Sequence, residues 1–498
     1  MTVGTWIDIL EISNDTETST STSIYPLGNN QFVVTGYFDG SGNSFVESDG
    51  ITMDSSGNSD IYIGKIDSSG TWLWATKAGG IQQDVGLSVV GLADGGCIVS
   101  GLFIDEAQFG NITVTSSGPT IFIGKVNSSG NWVWVEKIDG DGTYNNDYIS
   151  EFYTLSMVLD GSNLIISGNY TQSLNFKGTI LLSSSPNNNI FVASLNLDTR
   201  NWNWQLTTDS PGNGIYSTSI KLLGNSIFVL GYFKGTVVFE TGNTQTSSGN
   251  SDIFVAKIVS ESWSDIIIIG ESSKTYTPYY FTQSHDDNLL LVGTKDMSSF
   301  LIKLDPFIET PIIFTKYIES TDNNYCISTS VVEVLNNIYV SGHYRNNLTI
   351  EGTTVTGNNK YNIFIAQYST DGNYLTIKKA TNTDGEIYST SSAYSSNKEN
   401  LMLTGYYKGT ISLDNLTINT PDVINAYIVQ LKLSSEFTPQ SQVAAVLNST
   451  SKQGSIIYRY DVKQFSGKKY IIANPTVGDN ADPKYVNLGK PIIIVVEN

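Results

Sequence analysis

The chain has 498 residues, of which 40% are hydrophobic, 11% aromatic and 15% charged, and its formal net charge at pH 7 is −20. A chain of this length and composition can bury a large core, so we expect a folded protein. The acidic balance argues against nucleic-acid binding by most of the surface, because that affinity depends on Lys and Arg side chains that neutralise phosphates.

The N-terminus has neither the basic start nor the apolar core of a secretory signal, and no stretch approaches 18 consecutive apolar residues. We therefore expect cytoplasmic synthesis, no export by the general route and no membrane span. Met1 to Leu10 contains Gly4-Thr5-Trp6, the same tripeptide as Gly70-Thr71-Trp72 in the first full copy of a repeat. This match predicts a detached β-strand at the start of the chain.

Residues 1–436 repeat one pattern seven times. Each copy has a Gly after a β-rich run, a loop, a run similar to Ile121-Phe-Ile-Gly-Lys125, and a turn, which in most copies leads into a Trp- or Tyr-led strand. The steps between the Gly anchors are 65, 67, 63, 62, 49 and 63 residues. The anchors are Gly36, Gly101, Gly168, Gly231, Gly293, Gly342 and Gly405.

The apolar runs of each copy predict four antiparallel strands, because they are rich in Val, Ile, Phe, Tyr and Thr and are bounded by Gly, Asn, Asp and Ser. In the second copy we expect strands over 87–92, 97–103, 120–126 and 132–137. A four-stranded sheet with two apolar faces needs neighbours on both sides. The sequence therefore predicts an all-β fold, a seven-bladed β-propeller.

The seventh copy has no fourth strand after Leu433, and the detached N-terminal strand fits that vacancy. We expect the strand to close the ring in the last blade, and the Trp side chains to wedge between blades. The loop between the second and third strands of the fifth copy is shortened to Lys295-Asp-Met-Ser-Ser299. It predicts a notch on one rim of the ring.

The first two copies resemble the SBBP-type β-propeller repeat. The resemblance is carried by Ser59-Asp-Ile-Tyr-Ile-Gly-Lys-Ile-Asp-Ser-Ser-Gly-Thr-Trp-Leu-Trp-Ala75, Gly79-Gly80 and Asp94-Gly-Gly-Cys-Ile-Val-Ser-Gly101. It extends over about 430 residues, because the same anchors recur in every copy. The resemblance implies a seven-bladed ring and no particular activity.

Residues 437–498 lose the repeat and predict a small C-terminal β module. They hold 7 Lys and Arg against 4 Asp and Glu, so the rest of the chain carries a net charge of −23. The end of the chain, Ile492 to Val496, is too apolar for a free strand and is expected to pack on the ring or on another subunit by strand addition. We expect this module to mediate self-association or protein binding.

One loop has the composition of a calcium site. Oxygen donors alternate with other residues after the second copy, where they could wrap a Ca²⁺ ion, although the closing Glu of an EF-hand is missing. An ordinary Asp-Gly turn is the alternative. The candidate ligands are Asp139, Asp141, Thr143, Asn145 and Asp147.

Groups for catalysis are scarce. The chain has two histidines: His285 lies in a predicted turn, and His343 stands where other copies have Tyr37, Tyr232 or Tyr406, which indicates a packing role. No Ser-His-Asp set, His-rich metal cluster or phosphate-binding Gly loop is evident. Cys97 and Cys326 belong to distant copies, so we expect two buried thiols rather than a disulfide.

Two function classes remain. The first is a non-enzymatic scaffold or protein-interaction propeller. The Asn-, Ile-, Ser- and Tyr-rich composition suits an AT-rich genome, such as that of a large DNA virus, so one expectation within this class is a virion or surface component. The second is a propeller that binds or processes carbohydrate with loops on one face. Aromatic candidates for that role are Tyr144, Tyr148, Tyr279 and Tyr280.

Overall fold

The structure is a computed structural model in which the described residues form strands and no helix. The chain divides into two compact units, Met1–Ser434 and Ser435–Asn498. The described residues are 4–12, 19–38, 44–46, 52–67, 71–140, 155–183, 186–240, 242–320, 325–382, 385–395, 398, 400–413, 416–433, 456–465, 468–477 and 492–496.

Blades 1 to 3 follow the short first strand of the chain, β1 (Gly4–Ile12). Blade 1 is built from β2 (Ser19–Pro26), β3 (Phe32–Phe38), β6 (Asp60–Ile66) and β7 (Trp72–Gly80), with β4 (Ser44–Val46) and β5 (Thr52–Asp54) as an inserted hairpin. Blade 2 is built from β8 (Val85–Gly91), β9 (Cys97–Phe103), β12 (Thr120–Val126) and β13 (Trp132–Gly140), with the inserted hairpin β10 (Glu106–Phe109) and β11 (Ile112–Thr115). Blade 3 is built from β14 (Ser156–Asp160), β15 (Asn163–Tyr170), β18 (Asn189–Asn196) and β19 (Trp202–Thr207), with the inserted hairpin β16 (Ser173–Phe176) and β17 (Thr179–Leu182).

Blades 4 and 5 differ in one inserted hairpin. Blade 4 is built from β20 (Ile215–Leu223), β21 (Ser226–Phe233), β24 (Asp252–Val259) and β25 (Ser262–Ile269), with the hairpin β22 (Thr236–Glu240) and β23 (Asn243–Thr246). Blade 5 is built from β26 (Tyr276–Gln283), β27 (Leu289–Lys295), β28 (Ser298–Leu304) and β29 (Ile312–Ser320), without an inserted hairpin.

Blades 6 and 7 complete the ring. Blade 6 is built from β30 (Cys326–Val334), β31 (Asn337–Arg345), β34 (Tyr361–Ser369) and β35 (Tyr374–Lys379), with the hairpin β32 (Leu348–Ile350) and β33 (Thr353–Val355). Blade 7 is built from β37 (Glu386–Tyr394), β38 (Asn400–Leu413), β39 (Leu416–Leu433) and β1. The short strand β36 (Thr381–Asn382) follows β35 in the chain and pairs with β38 of blade 7. The second unit is a three-stranded antiparallel sheet of β40 (Ile456–Phe465), β41 (Lys468–Val477) and β42 (Ile492–Val496).

The predicted fold class is confirmed: the ring is a seven-bladed propeller closed by its N-terminal strand. β1 pairs antiparallel with β39, from Gly4 opposite Leu433 to Ile12 opposite Ala426. Side chains add to the joint, because the hydroxyl of Thr390 in blade 7 donates to the carbonyl oxygen of Ser21 in blade 1 at 2.8 Å. The first and last segments of the ring are therefore held together by sheet hydrogen bonds and by a bond between blades.

The core lies between neighbouring blades. In the seam between blades 2 and 3, for example, Ile98 and Ile123 share one buried cluster with Leu164 and Phe191. All four side chains are fully buried. Each blade thus covers a face that its neighbour cannot bury alone, which is why the four-stranded unit is stable only within a ring.

The repeated Gly is required by a bulge on the innermost strand of the blade. In blade 2 the pairing of β8 with β9 shifts register between Gly86 and Ser88, and the carbonyl oxygen of Val85 is pressed against Gly101. A Cβ atom on Gly101 would lie 1.9 Å from that oxygen. The same bulge recurs in blades 1, 4, 5, 6 and 7. The regular spacing of the Gly anchors therefore reflects this close backbone contact, which recurs from blade to blade.

In blades 2 and 4, the first Trp of the outer strand packs against its own blade and binds the neighbouring blade. The indole N–H of Trp132 in blade 2 donates to the carbonyl oxygen of Lys77 in blade 1 at 3.0 Å, and that of Trp263 in blade 4 donates to Thr207 of blade 3 at 3.3 Å. The ring of Trp132 also covers Gly124, where a Cβ atom would come within 2.4 Å of it. These described Trp side chains hold blades together.

The inserted hairpins join successive blades. The hairpin β10–β11 of blade 2 adds to the outer strand β7 of blade 1, β16–β17 adds to β13, and β32–β33 adds to β29. Blade 5 has only a tight turn at this place, with Lys295 opposite Ser298. The outer strand β25 of blade 4 consequently has no such hairpin among the described residues, which locates the predicted notch between blades 4 and 5.

Candidate functional site

The innermost strands surround a central cavity of about 360 Å³ with residues from all seven blades. Its wall carries threonine hydroxyls at the strand bulges. Thr22 donates to the carbonyl oxygen of Gly86 in the next blade at 2.8 Å, and Thr329 donates to the hydroxyl of Ser389 at 3.2 Å. These hydroxyls hold adjacent blades together, so the wall of the channel is mainly structural.

A larger cavity, of about 640 Å³, opens where blades 5, 6 and 7 meet the channel. We call it the tyrosine pocket, because six tyrosines and one histidine dominate its lining. These residues are Tyr279, Tyr325, Tyr361, Tyr388, Tyr406, Tyr407 and His343. The lining is completed by Ile327, Thr329, Glu386, Lys408 and Ile424.

Cross-strand pairing builds the aromatic part of the pocket. Tyr388 on β37 stands directly opposite Tyr406 on β38, and their rings stack with centroids 4.8 Å apart. Tyr361 comes from blade 6 and places its ring 4.8 Å from that of Tyr388 on the other side of the seam. Such aromatic pairs are favoured on neighbouring strands because large rings cover each other's apolar faces.

His343 lies among these rings. Its imidazole makes edge contacts with Tyr388 at 5.1 Å and with Tyr361 at 5.9 Å, and the residue is 9% exposed. A hydrogen bond with the backbone of Ser389 ties it to blade 7. Burial lowers the pKa of His343 to about 4, so the imidazole is neutral at pH 7.

One nitrogen of this histidine has no bonding partner. Nδ1 of His343 is buried and accepts no hydrogen bond from any described residue. Blade 3 has Asn169 at the same position after the Gly anchor, and there the amide bonds Ser217 of the next blade through both of its polar atoms, at 2.8 and 3.4 Å. The packing role predicted for His343 is therefore only part of what this side chain offers.

The polar groups of the pocket come from one cross-strand pair. Glu386 stands opposite Lys408 on β38, and the hydroxyl of Tyr388 donates to Glu386 Oε2 at 2.8 Å. Burial first, and then this hydrogen bond to the carboxylate, raise the pKa of Tyr388. The pocket thus holds one carboxylate and one ammonium group near a neutral aromatic surface.

The other histidine lies elsewhere. His285 occupies the turn between β26 and β27, as predicted, and its Nδ1 is 3.0 Å from Glu333 Oε1. The side chain of His285 is half-exposed, whereas that of Glu333 is buried. This contact joins blade 5 to blade 6, and His285 is not part of the pocket lining.

A second buried titratable group sits in the seam between blades 1 and 2. Asp84 accepts hydrogen bonds from the backbone N–H groups of Gly80 at 2.6 Å and Ile104 at 3.1 Å. Burial raises the pKa of Asp84 to about 7 against the lowering effect of these two bonds. Both bonds tie loops together, which indicates a structural role.

The predicted calcium ligands are only partly visible. Asp139 lies near the end of β13, where its Oδ1 is 2.8 Å from Nζ of Lys137. Asp141, Thr143, Asn145 and Asp147 lie outside the described residues, as do Tyr144 and Tyr148. Within the described ranges, no group of three or more His, Cys, Asp or Glu side chains could hold a metal ion. The calcium site stays a prediction.

The two other aromatic candidates border the channel. Tyr279 lines the tyrosine pocket and is 36% exposed. Tyr280 lines the central cavity, and its hydroxyl accepts a hydrogen bond from Lys221 Nζ at 2.8 Å. Sequence reasoning missed the rest of the pocket. The available signal was the aromatic residue that follows the Gly anchor in several copies, since it faces the innermost strand of the same blade.

Both cysteines are buried and free, Cys97 in blade 2 and Cys326 in blade 6. Burial raises the pKa of the Cys97 thiol to about 12 and also raises that of Cys326. Neither thiol is a reactive group at neutral pH.

The described part of the chain contains no helix that could span a membrane.

Comparisons with known proteins do not place the chain in a family. No family model matches the chain, and no curated protein matches it, so the SBBP type of the repeat stays a prediction. The acylaminoacyl peptidase of Pyrococcus horikoshii is 10% identical over 92% of this chain, with a TM-score of 0.39. The chain spans 58% of the length of that peptidase.

Two further solved structures are similar at the same level. A neuraminidase-like protein of subtype N10 from an influenza A virus of the little yellow-shouldered bat is 8% identical, with a TM-score of 0.34, over 68% of this chain and 91% of its own. An exo-β-1,3-galactanase described as putative, from Bifidobacterium bifidum, is 10% identical, with a TM-score of 0.31, over 60% of this chain and 95% of its own. At these identities and TM-scores the likenesses carry no argument about function.

Proposed function

We propose that the protein is a non-enzymatic propeller that acts as a scaffold and assembles through its C-terminal unit. The observation that carries this proposal is the edge strand β42, which pairs with β41 and with no other described strand. Its sequence, Ile492-Ile-Ile-Val-Val496, is apolar throughout. An unpaired edge of this composition is a template for another β-strand.

The ring supports the same proposal. Its threonine hydroxyls bind neighbouring blades, His285 is paired with Glu333, and Asp84 bonds two backbone N–H groups. Side chains with catalytic potential are thus used to hold the blades in place. A stiff ring with a separate β-sheet unit suits a structural component of a virion or a cell surface, and immunolabelling of the source particle or cell tests that location.

Removal of residues 435–498 tests the assembly proposal. The full chain should form a defined oligomer by light scattering, and the shortened chain should be a monomer with the same thermal transition of the ring. Ile494→Lys in the full chain should have the same effect, because a charge at the edge blocks strand addition. Lys490→Arg is the matched control. An unchanged mass after both changes would reject the proposal.

Carbohydrate recognition is the second candidate function, and the tyrosine pocket is the observation that favours it. Aromatic rings with a few polar groups are typical of small-molecule sites, and a volume of about 640 Å³ is in their usual range. A glycan array probed with the full chain tests this candidate. Binding to no glycan at micromolar protein concentration would remove it.

A further inference from the structure

We propose that the tyrosine pocket binds a neutral sugar residue, which lies on the exposed tyrosine rings and donates a hydroxyl hydrogen bond to Nδ1 of His343. This inference rests on the second candidate function and adds the site, the class of sugar and the mode of binding. Four observations carry it: the exposed rings, the charge of the lining, the free nitrogen and the number of carboxylates.

The rings provide the surface. Tyr325, directly before β30 of blade 6, is 50% exposed, and Tyr279, on β26 of blade 5, is 36% exposed; both line the pocket. A pyranose ring has C–H groups on one face and hydroxyls around its edge. Tyrosines suit such a ligand because each combines an apolar body with a polar end.

The charge of the lining favours a neutral ligand. Glu386 and Lys408 stand opposite each other and offset one another, and the imidazole of His343 is uncharged at pH 7. Nearby, Arg345 lies with its guanidinium 5.9 Å from the ring of Tyr361, and its Nε donates to Asn359 Oδ1 at 3.0 Å. An acidic sugar would place its charge in a pocket that already holds the carboxylate of Glu386, and a cationic ligand would place its charge beside the ammonium group of Lys408.

Nδ1 of His343 needs a donor. Against the larger lowering effect of burial, the hydrogen bond with the backbone of Ser389 raises the pKa of His343, as expected when the imidazole donates to a backbone oxygen. Nδ1 has no hydrogen-bond partner, so the proton of the neutral imidazole is assigned to Nε2. Nδ1 is then an acceptor in a largely buried position, where an unmet hydrogen bond is costly. In the free protein Nδ1 has almost no accessible surface, so a ligand hydroxyl reaches it only after a side-chain shift that uncovers it. Asn169 in blade 3 has no unbonded polar atom of this kind.

The lining suits binding without cleavage. Glycoside hydrolysis by the usual route needs two carboxyl groups, about 5 to 9.5 Å apart, on either side of the scissile bond. Glu386 is the single carboxylate in the described lining, and it already accepts a hydrogen bond from the hydroxyl of Tyr388. The pocket therefore has the groups of a lectin site rather than those of a glycosidase.

The test uses the full chain on an array of neutral and sialylated glycans, followed by calorimetry with the best neutral glycan. Tyr325→Ala removes a half-exposed ring and should weaken binding about tenfold. His343→Asn should weaken binding about fivefold to tenfold, because the amide can bond Ser389 as Asn169 bonds Ser217 and leaves no acceptor in the pocket. Tyr25→Ala, at a 36% exposed tyrosine outside the pocket, is the matched control and should bind as the unchanged chain does.

The outcomes separate the inference from the function on which it rests. Binding of neutral glycans that falls with both pocket variants and not with Tyr25→Ala supports the inference. Glycan binding that survives both variants, or that favours sialylated glycans, overturns the inference and leaves carbohydrate recognition standing. Binding to no glycan overturns both. Thermal scans of every variant show whether the ring is folded.

Discussion

Deleting residues 1–12 should open the ring at blade 7 and lower its melting temperature. The deletion removes β1 and exposes the edge of β39 along its pairing from Ala426 to Leu433. The shortened chain should still fold, because Ser19 and Ser21 remain and bind blade 7 through the N–H of Ala426 and the hydroxyl of Thr390. A destabilised ring is therefore expected rather than an unfolded chain.

The size of the expected fall in melting temperature follows from the number of hydrogen bonds between β1 and β39. β1 and β39 form eight residue pairs, and an antiparallel ladder has on average about one hydrogen bond per pair. At about 1 kcal/mol per bond, the loss is about 8 kcal/mol. The unfolding entropy of a ring of this length is about 0.9 kcal/mol per degree, from about 2.1 cal/mol/K per residue, so the melting temperature should fall by about 9 °C.

Differential scanning calorimetry of the full and shortened chains measures this shift. A synthetic peptide of residues 1–12, added in excess, should restore part of the lost stability, because it can pair with the exposed edge of β39. A scrambled peptide of the same composition is the control. A melting temperature that the deletion leaves unchanged would refute the closure of the ring by β1.

Three further predictions concern the ring. Gly101→Ala should destabilise it by about 1 to 3 kcal/mol in denaturant unfolding, because the new Cβ meets the oxygen of Val85, whereas Gly28→Ala, with nothing within 4 Å, should change stability by less than about 0.5 kcal/mol. Asp84 binds its proton more tightly in the folded ring, so its contribution to stability should fall as pH rises from about 4 to about 7. Asp84→Asn should remove that slope in melting temperatures measured between pH 4 and 8, and an identical slope would contradict the buried carboxyl. Calcium titrated into the full chain by calorimetry should release heat that Asp141→Asn abolishes if the loop at residues 139–147 binds the ion, and the absence of heat would end that prediction.

The blades could be predicted because their signals are local. In the second copy the expected strands at 87–92, 97–103, 120–126 and 132–137 correspond to Val85–Gly91, Cys97–Phe103, Thr120–Val126 and Trp132–Gly140. The Gly anchor and the apolar runs each correspond to contacts inside one blade, such as the close approach of the Val85 carbonyl oxygen to Gly101. Contacts of this kind recur at fixed spacing, so a single sequence shows them.

The hairpins and the pocket could not be predicted in the same way. The hairpin β10–β11 is a short insert whose partner, β7, belongs to the preceding blade. The pocket takes Tyr279, Tyr361 and Tyr388 from three blades, and their side chains meet only in the assembled ring. The only signal that the pocket leaves in the sequence is the aromatic residue after the Gly anchor, because both features depend on how blades pack.

Closure by β1 also sets the order of events during synthesis. β1 leaves the ribosome before the seven blades and waits until Leu433 has been made, about 420 residues later. At about 5 to 20 residues per second, β1 stays without its partner for about 20 to 80 seconds while the blades form behind it. During that time the nascent ring carries an unpaired strand before blade 1, and the edge of β39 stays open until β1 pairs with it.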